Sequence, residues 1–467
     1  MESKTKYVRI TVDGKEMLVE HGSKLSDALN IEKPCGGRGS CGKCKVKIDG
    51  ETALACRYTV TQPITVETGG VSEIFSDTGA SESGSMTENL AYVLDIGTTT
   101  LALALVSLDE GNVVKVLTAA NPQRVFGADI IARIDYCREH TVERLQALLI
   151  AEINRMINSI GVSADKMYVA ANVTMLHTLF GIDCSSIGVA PYTPAFLEGK
   201  TVPAKEIGIE DVNSVISLPS IASFVGADLV AGLRYIGMPD EGKYNLLIDL
   251  GTNAEVVLYS SRGGVCSAAA AGPCFEGANI SCGMSASEGA ICSFEIKSDK
   301  PTYKTVFDKV PVGICGTGLV DIISELIRTE VIDEGGYMEE DYYITDTVYL
   351  SCGDVRQYQL AKSAVYSAIL SLMKEAGVEF SDISKMYISG GFSSKINVKS
   401  AAATGLLPRE LINRAEPLNN SSLLGAVRYA TEGGDLSWFT ENIRYVDLTE
   451  SSYFSDLYME NMMFDIE

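Results

Sequence analysis

The sequence predicts two units of different class joined by a linker: a small α+β module over residues 1–70 and a duplicated, two-lobed α/β body over residues 90–467. Three observations carry this. A cysteine loop follows a hairpin and a short helix near the start; a polar stretch without aromatic residues lies at 76–88; and one strand–turn–strand motif occurs twice, 154 residues apart. With 467 residues, 46% hydrophobic and 21% charged, the chain has room for two or three domains of ordinary globular composition. It shows no charged-then-apolar leader and no apolar run long enough to span a bilayer, so a cytoplasmic protein with reduced thiols is expected. A net charge of −23 disfavours nucleic acid and anionic membrane as partners. That charge is uneven: residues 1–68 balance to +2, which leaves −25 for residues 69–467.

The module reads as follows. Tyr7 to Val12 alternates, Asp13-Gly14 is a hairpin signal, Glu16 to Glu20 continues the alternation, and Ser23 is expected to cap a helix through Leu29. Next comes PCGGRGSCGKCKVKIDGETALAC, which holds Cys35, Cys41, Cys44 and Cys56 in the spacing C-x5-C-x2-C-x11-C. Glycines 36, 37, 39 and 42 let backbone amides wrap closely around a cluster, and the thiolate spacing is that of a plant-type [2Fe–2S] loop. Structural zinc usually pairs two short knuckles, whereas only Cys41 and Cys44 form one here. The run from Gly37 to Cys44 imitates a P-loop, but it lacks the final Ser or Thr and leads into an alternating strand at Lys45–Ile48 instead of a helix. With a last strand at Ile64–Glu67, the order is that of a ferredoxin-like β-grasp domain. The other eight cysteines contain no C-x-x-C pair and read as small buried thiols.

The segment SDTGASESGSMTE at 76–88 reads as a flexible linker, with residues 71–89 spanning roughly 25 Å on average. Beyond it, AYVLDIGTTTLALALVS and YNLLIDLGTNAEVVLYS match. In each, an apolar strand ends in an acid (Asp95, Asp249), turns through Gly97-Thr98-Thr99-Thr100 or Gly251-Thr252-Asn253, and returns as a second apolar strand. Such a turn grips phosphate: glycine permits close approach, amides and Thr hydroxyls donate, and the Asp can hold Mg2+ through water. A third element, the strand Met386–Ile388 leading through Ser389, Gly390 and Gly391 into a helix-like run, would bring backbone close to an adenosine.

Together these motifs resemble the actin, sugar kinase and Hsp70 ATPase superfamily, whose core is ribonuclease H-like. More narrowly, the chain resembles the reductive activators of corrinoid proteins, in which a [2Fe–2S] domain is joined to such an ATPase. The segments that carry this are NPQRVFGADIIARI (121–134), ANVTMLHTLFG (171–181), APYTPAF (190–196), AAGPCFEGANISCGM (270–284), GICGTGLVD (313–321) and ISGGFSSKI (388–396). Family members also carry an extra small domain before the ATPase, and here only 76–88 is available for it.

The resemblance implies ATP, Mg2+ and a [2Fe–2S] cluster as cofactors, with a corrinoid protein of a methyltransferase system and a low-potential electron donor as partners and a homodimer left open. It implies Asp95 and Asp249 at magnesium, Thr98, Thr99, Thr252 and Asn253 at phosphate, Glu255 near the attacking water, and Gly97, Thr100, Gly251, Gly272, Gly316, Gly390 and Gly391 around the nucleotide. One electron passes to an inactive Co(II) corrinoid to regenerate Co(I). An uphill transfer of 0.2 V costs ~4.6 kcal/mol per electron, which is why ATP is required. The alternatives are an ATP-driven activator of another low-potential enzyme, and a redox-sensing or kinase protein with an appended cluster.

Overall fold

The computed structural model describes residues 7–12, 14–29, 31, 44–67, 78–127, 129–298 and 300–465. In the module, β1 (Tyr7–Val12) pairs antiparallel with β2 (Lys15–Glu20) and parallel with β5 (Thr65–Glu67). Strands β3 (Lys45–Ile48) and β4 (Glu51–Leu54) complete a five-stranded sheet of order β2-β1-β5-β3-β4. Alternation puts Val8 and Ile10 of β1 and Val46 and Ile48 of β3 into one core with Leu25, Val60 and Val66. The helix α1 (Leu25–Ala28) starts after Lys24, not Ser23, whose hydroxyl donates to the Glu20 carbonyl (2.7 Å) and so closes the hairpin end rather than capping the helix. Strand β4 gives no signal in the sequence, because its exposed Glu51 and Thr52 leave no apolar alternation.

The body has two six-stranded sheets. In the first, β6 (Leu90–Ile96), β7 (Thr100–Ser107) and β8 (Asn112–Ala120) form an antiparallel meander. Strands β9 (Ala164–Ala171) and β11 (Val212–Ser217) extend it in parallel from β6, with β10 (Thr201–Pro203) at the edge. In the second, β12 (Tyr244–Leu250), β13 (Ala254–Ser260) and β14 (Gly263–Ala269) form the meander. There β20 (Ile383–Ser389) and β21 (Ala415–Pro417) extend in parallel from β12, and β22 (Ile443–Tyr445) lies beside β14. The orders β8-β7-β6-β9-β11 and β14-β13-β12-β20-β21 therefore correspond strand for strand. Near-continuous burial of β6 and β12 follows from having both faces covered.

Helices α2 (Ile130–Glu139), α3 (Glu143–Ile160), α4 (Val173–Phe180) and α5 (Ala227–Ile236) belong to the first lobe. Helix α5 packs on α9 (Ser421–Glu432), and both share one core with the first sheet and with Leu247, Val257 and Tyr259 of the second. The remaining face of the second sheet is covered by α6 (Gly316–Arg328) and α7 (Cys352–Ala376), around Leu246, Ile248, Val256 and Leu258. A small sheet of β15 (Ala290–Lys297), β16 (Lys300–Thr305) and β17 (Gly313–Ile314) follows β14, and the pair β18 (Tyr342–Tyr343) and β19 (Tyr349–Leu350) precedes α7. Helices α8 (Val398–Ala403), α10 (Ser437–Asn442) and α11 (Ser452–Glu460) complete the chain. Among the described residues no helix is long and apolar enough to cross a membrane.

Residues 78–88 differ from the expected free tether. Strand β8 is a sheet edge, and the polar segment fills its open positions: the amides of Ser83 and Gly84 donate to the Val113 carbonyl (3.0 and 2.9 Å), and Glu82 Oε1 accepts from the Val116 amide at 2.8 Å. Polar, Ser-rich composition here serves hydrogen bonding to an edge rather than free solvation. Residues 68–77, where the rest of the expected linker falls, lie outside the described residues.

Candidate functional site

Strand β6 delivers Asp95 to its end, and the chain reverses through residues 97–100 with the Gly97 amide donating to the Thr100 carbonyl at 3.0 Å. A Cβ at Gly97 would stand 2.8 Å from that same carbonyl, so only glycine permits a turn this tight. The turn is held from behind. Asn121 donates its amide to the Thr99 carbonyl (2.9 Å) and its side chain to the Gly97 carbonyl (2.8 Å). The fully buried Arg133, on α2, donates to the Thr98 carbonyl (2.5 Å) and the Gly127 carbonyl (3.1 Å). Asn172, which caps α4, reaches the Thr98 hydroxyl at 3.4 Å. The segments around 121–134 and 171–181 thus act as buttresses of this turn.

Strand β12 delivers Asp249 in the same way, but its turn is one residue shorter, with the Gly251 amide donating to the Asn253 carbonyl at 3.0 Å. The shorter turn changes what stands opposite the acid. Asp249 pairs across the hairpin with Glu255, whereas Asp95 pairs with Ala102. On its other side Asp249 neighbours Ser389, whose hydroxyl donates to it at 2.5 Å. Asp95 instead accepts from Asn420 Nδ2 and from Ser422 Oγ, both at 2.7 Å, at the start of α9.

Both turns open on one cleft of about 650 Å3. Its wall includes Asp95, Gly97, Thr98, Thr99 and Thr100 from the first lobe and Asp249, Gly251, Thr252, Asn253 and Glu255 from the second. Gly316, Gly390 and Gly391 line it as well, as do Asp228 and Glu276. Gly390 has φ +111°, and a Cβ there would stand 2.1 Å from the Leu250 carbonyl, so the strand-to-turn junction runs against β12. Phe275 and Phe392 stack with ring centroids 5.1 Å apart, and both face the cleft.

Five carboxylates share this space, and Lys395 is the one cationic side chain among the described lining residues. Burial raises all five pKa values. Asp95 is pushed up to about 6, against the stabilising donation of Asn420 and Ser422. Asp228 is pushed up to about 7 by burial and then by the charges of Asp249 and Asp95. Glu255 rises well above the carboxylate range through burial and the nearby Asp249 and Asp228, and Asp249 and Glu276 also rise. Five clustered carboxylates suit a hard divalent ion even with Arg133 and Arg124 near Glu276, and the hydroxyls and amides of the two turns suit phosphate oxygens. The donor chemistry of these carboxylates, Asp95 and Asp249 among them, fits a hard divalent cation such as Mg2+.

Of the nucleotide residues expected from the sequence, Gly272 alone is not among the cleft-lining residues; it precedes the turn Pro273–Glu276. The helix expected directly after Gly391 begins only at Val398, with a short turn at Ser393–Lys395 between them. Sequence reasoning missed Asp228, Glu276, Asn420 and Ser422. The first two stand in no glycine-turn motif, and the last two reach Asp95 from more than 320 positions away.

Cys35 and Cys41 lie outside the described residues. Cys44 and Cys56 are buried at one end of the β3–β4 hairpin, where the Ala55 amide donates to the Cys44 carbonyl at 2.9 Å. The register sets Cys44 opposite Ala55, next to Cys56 in the chain, and two buried thiols flanking one hairpin fit the thiolate chemistry of an iron–sulfur cluster. Among the other cysteines Cys137, Cys184, Cys266, Cys274 and Cys315 are buried, whereas Cys352 is exposed.

Residues 90–241 match the RACo middle region, and residues 243–467 match the C-terminal domain of RACo, the ASKHA domain. The family's middle region thus falls on the first six-stranded lobe. The corrinoid activation enzyme RamQ of Eubacterium limosum is 29% identical over 416 residues, covering 79% of this chain and 69% of that protein. A Co(II) methylated amine-specific corrinoid protein reductase of Methanosarcina barkeri is 24% identical over 353 residues, 68% of this chain and 65% of that protein. The solved structure of a reductive activator for corrinoid,iron-sulfur protein superposes with a TM-score of 0.72 at 26% identity, covering 98% of each chain. With both RACo regions in tandem over the whole body, the chain belongs to the reductive activators of corrinoid proteins.

Proposed function

We propose that this protein is an ATP-dependent reductive activator that returns an inactive Co(II) corrinoid protein to Co(I), and that the cleft between its lobes is the ATPase site. The observation that carries this is the convergence of two phosphate-type turns, one from each lobe, on a single cleft with five carboxylates. Thr98, Thr99, Thr252 and Asn253 donate to phosphate oxygens, and the Gly390–Gly391 junction lies beside the adenosine. Asp95 and Asp249 hold Mg2+, which when bound neutralises phosphate charge. Glu255, opposite Asp249 and kept protonatable toward neutral pH by burial, orients the attacking water and takes its proton.

In the module, Cys35, Cys41, Cys44 and Cys56 hold a [2Fe–2S] cluster, which supplies one electron at a time. This reading makes the five-stranded unit a ferredoxin-like domain and the two matching sheets the product of a duplication. Two lobes that close differently around ATP and its products select different arrangements toward the corrinoid partner, so hydrolysis drives an otherwise uphill transfer. The test is anaerobic reduction of a Co(II) corrinoid protein, followed by the Co(I) absorbance, with the intact chain and a low-potential donor. Co(I) should accumulate only with Mg–ATP. Equal accumulation without nucleotide would overturn the coupling, and ADP release that depends on an added sugar would favour a kinase.

A further inference from the structure

Glu276 has no part in the mechanism above, yet it is the side chain on which the two turns meet. It ends the short turn Pro273–Glu276 after β14. Its Oε2 accepts from the Thr252 hydroxyl of the second turn at 2.8 Å and stands 3.5 Å from the Thr99 hydroxyl of the first. Each hydroxyl has one proton to donate. A carboxylate oxygen and a phosphate oxygen are acceptors of the same kind, so the two cannot take both protons together. The buried anion is countered from the first lobe by the guanidinium groups of Arg133 and Arg124. Arg133 also holds the Thr98 carbonyl, so the support for Glu276 and the support for the first turn come from one side chain.

We propose that Glu276 is a positioning residue that occupies the phosphate-binding hydroxyls of both turns in the nucleotide-free protein, and that arriving phosphate displaces it. The inference rests on the cleft being the ATP site. It gives nucleotide a direct mechanical effect: entry breaks a carboxylate bridge between lobes and replaces it with a phosphate bridge, so the lobes exchange one mutual ligand for another. It also means that Glu276 lowers nucleotide affinity, by competition and by repulsion of phosphate charge.

The experiment is calorimetric titration of the full-length protein with a non-hydrolysable ATP analogue in the presence of EDTA, for the parent, Glu276→Ala and Glu276→Gln. Without magnesium, Glu276→Ala should bind on the order of tenfold more tightly than the parent, with Glu276→Gln in between because its amide oxygen still accepts while its charge is gone. Structural damage loosens binding, so tightening is a readout that a merely structural role would not produce. If Glu276→Ala does not fold, the isosteric Glu276→Gln decides alone. A parent that binds the analogue while neither variant binds it more tightly overturns the inference by itself. A parent that binds no analogue even when magnesium replaces EDTA overturns the ATP reading and this inference with it, whereas a parent that binds only with magnesium, while Glu276→Ala still fails to bind in EDTA, overturns this inference alone.

Discussion

Asp95 and Asp249 end corresponding strands in the two lobes, yet Asp95 is satisfied by two donors from the start of α9 and faces Ala102, whereas Asp249 has one side-chain donor and faces Glu255. The donors differ because α9 packs against β6, and the facing residues differ by a single residue of turn length. Four residues separate the paired positions Ile96 and Leu101, but three separate Leu250 and Ala254, and that shift brings an acid rather than an alanine opposite the second aspartate. The first lobe therefore presents a hydrogen-bonded, buttressed aspartate, and the second presents two facing acids. On the proposed reading both aspartates hold the metal, and the acid that faces the attacking water stands in the second lobe alone.

The asymmetry breaks most clearly at Asp249. Asp249→Ala should lower ATP hydrolysis by at least roughly a hundredfold, measured as phosphate release, while the visible absorbance of the reconstituted module stays unchanged. Normal hydrolysis would remove the second turn from the reaction. Glu255→Gln should lower kcat by about ten- to a hundredfold with KM for ATP little altered, because a proton acceptor acts only as the transition state forms. If KM rises and kcat holds, Glu255 binds rather than reacts.

In the first lobe the effects should be milder and fall on stability. Removing residues 76–88 uncovers the β8 edge and the Val113 and Val116 backbone groups, so the variant should lose several degrees of Tm and gain a tendency to self-associate, seen by scanning calorimetry and light scattering. An unchanged Tm together with slower corrinoid reduction would restore the simple tether. The smallest effect is set by pH at Asp228. The folded protein keeps this carboxyl protonated up to about pH 7, while its ordinary value is 3.8, so the folded state binds more protons in that window. Its contribution to stability accordingly falls as pH rises from about 4 to about 7. Asp228→Asn in the nucleotide-free protein should melt a few degrees above the parent at pH 8, and the gap should close by pH 5. A gap that widens on acidification would reverse the sign and contradict the burial of the charge.

By itself, the sequence determined the features that depend on neighbours along the chain. The acid–glycine–threonine turns at 95–100 and 249–253 are legible because glycine sterics and strand periodicity act over a few residues, and the first five-stranded unit shows in its hairpin alternation. The four-cysteine spacing is equally local, although only Cys44 and Cys56 fall among the described residues. Tertiary structure decided what enters the space between the turns. Asn420 and Ser422 reach Asp95 because α9 packs against β6, and Asp228 arrives on α5, which packs on α9 and β9. Glu276 meets Thr99 across 177 positions of sequence, a distance over which no periodicity carries information. The polar run at 78–85 looked free because composition does not reveal that β8 would be left as an edge; only the order of six strands creates the open donors and acceptors that those residues satisfy.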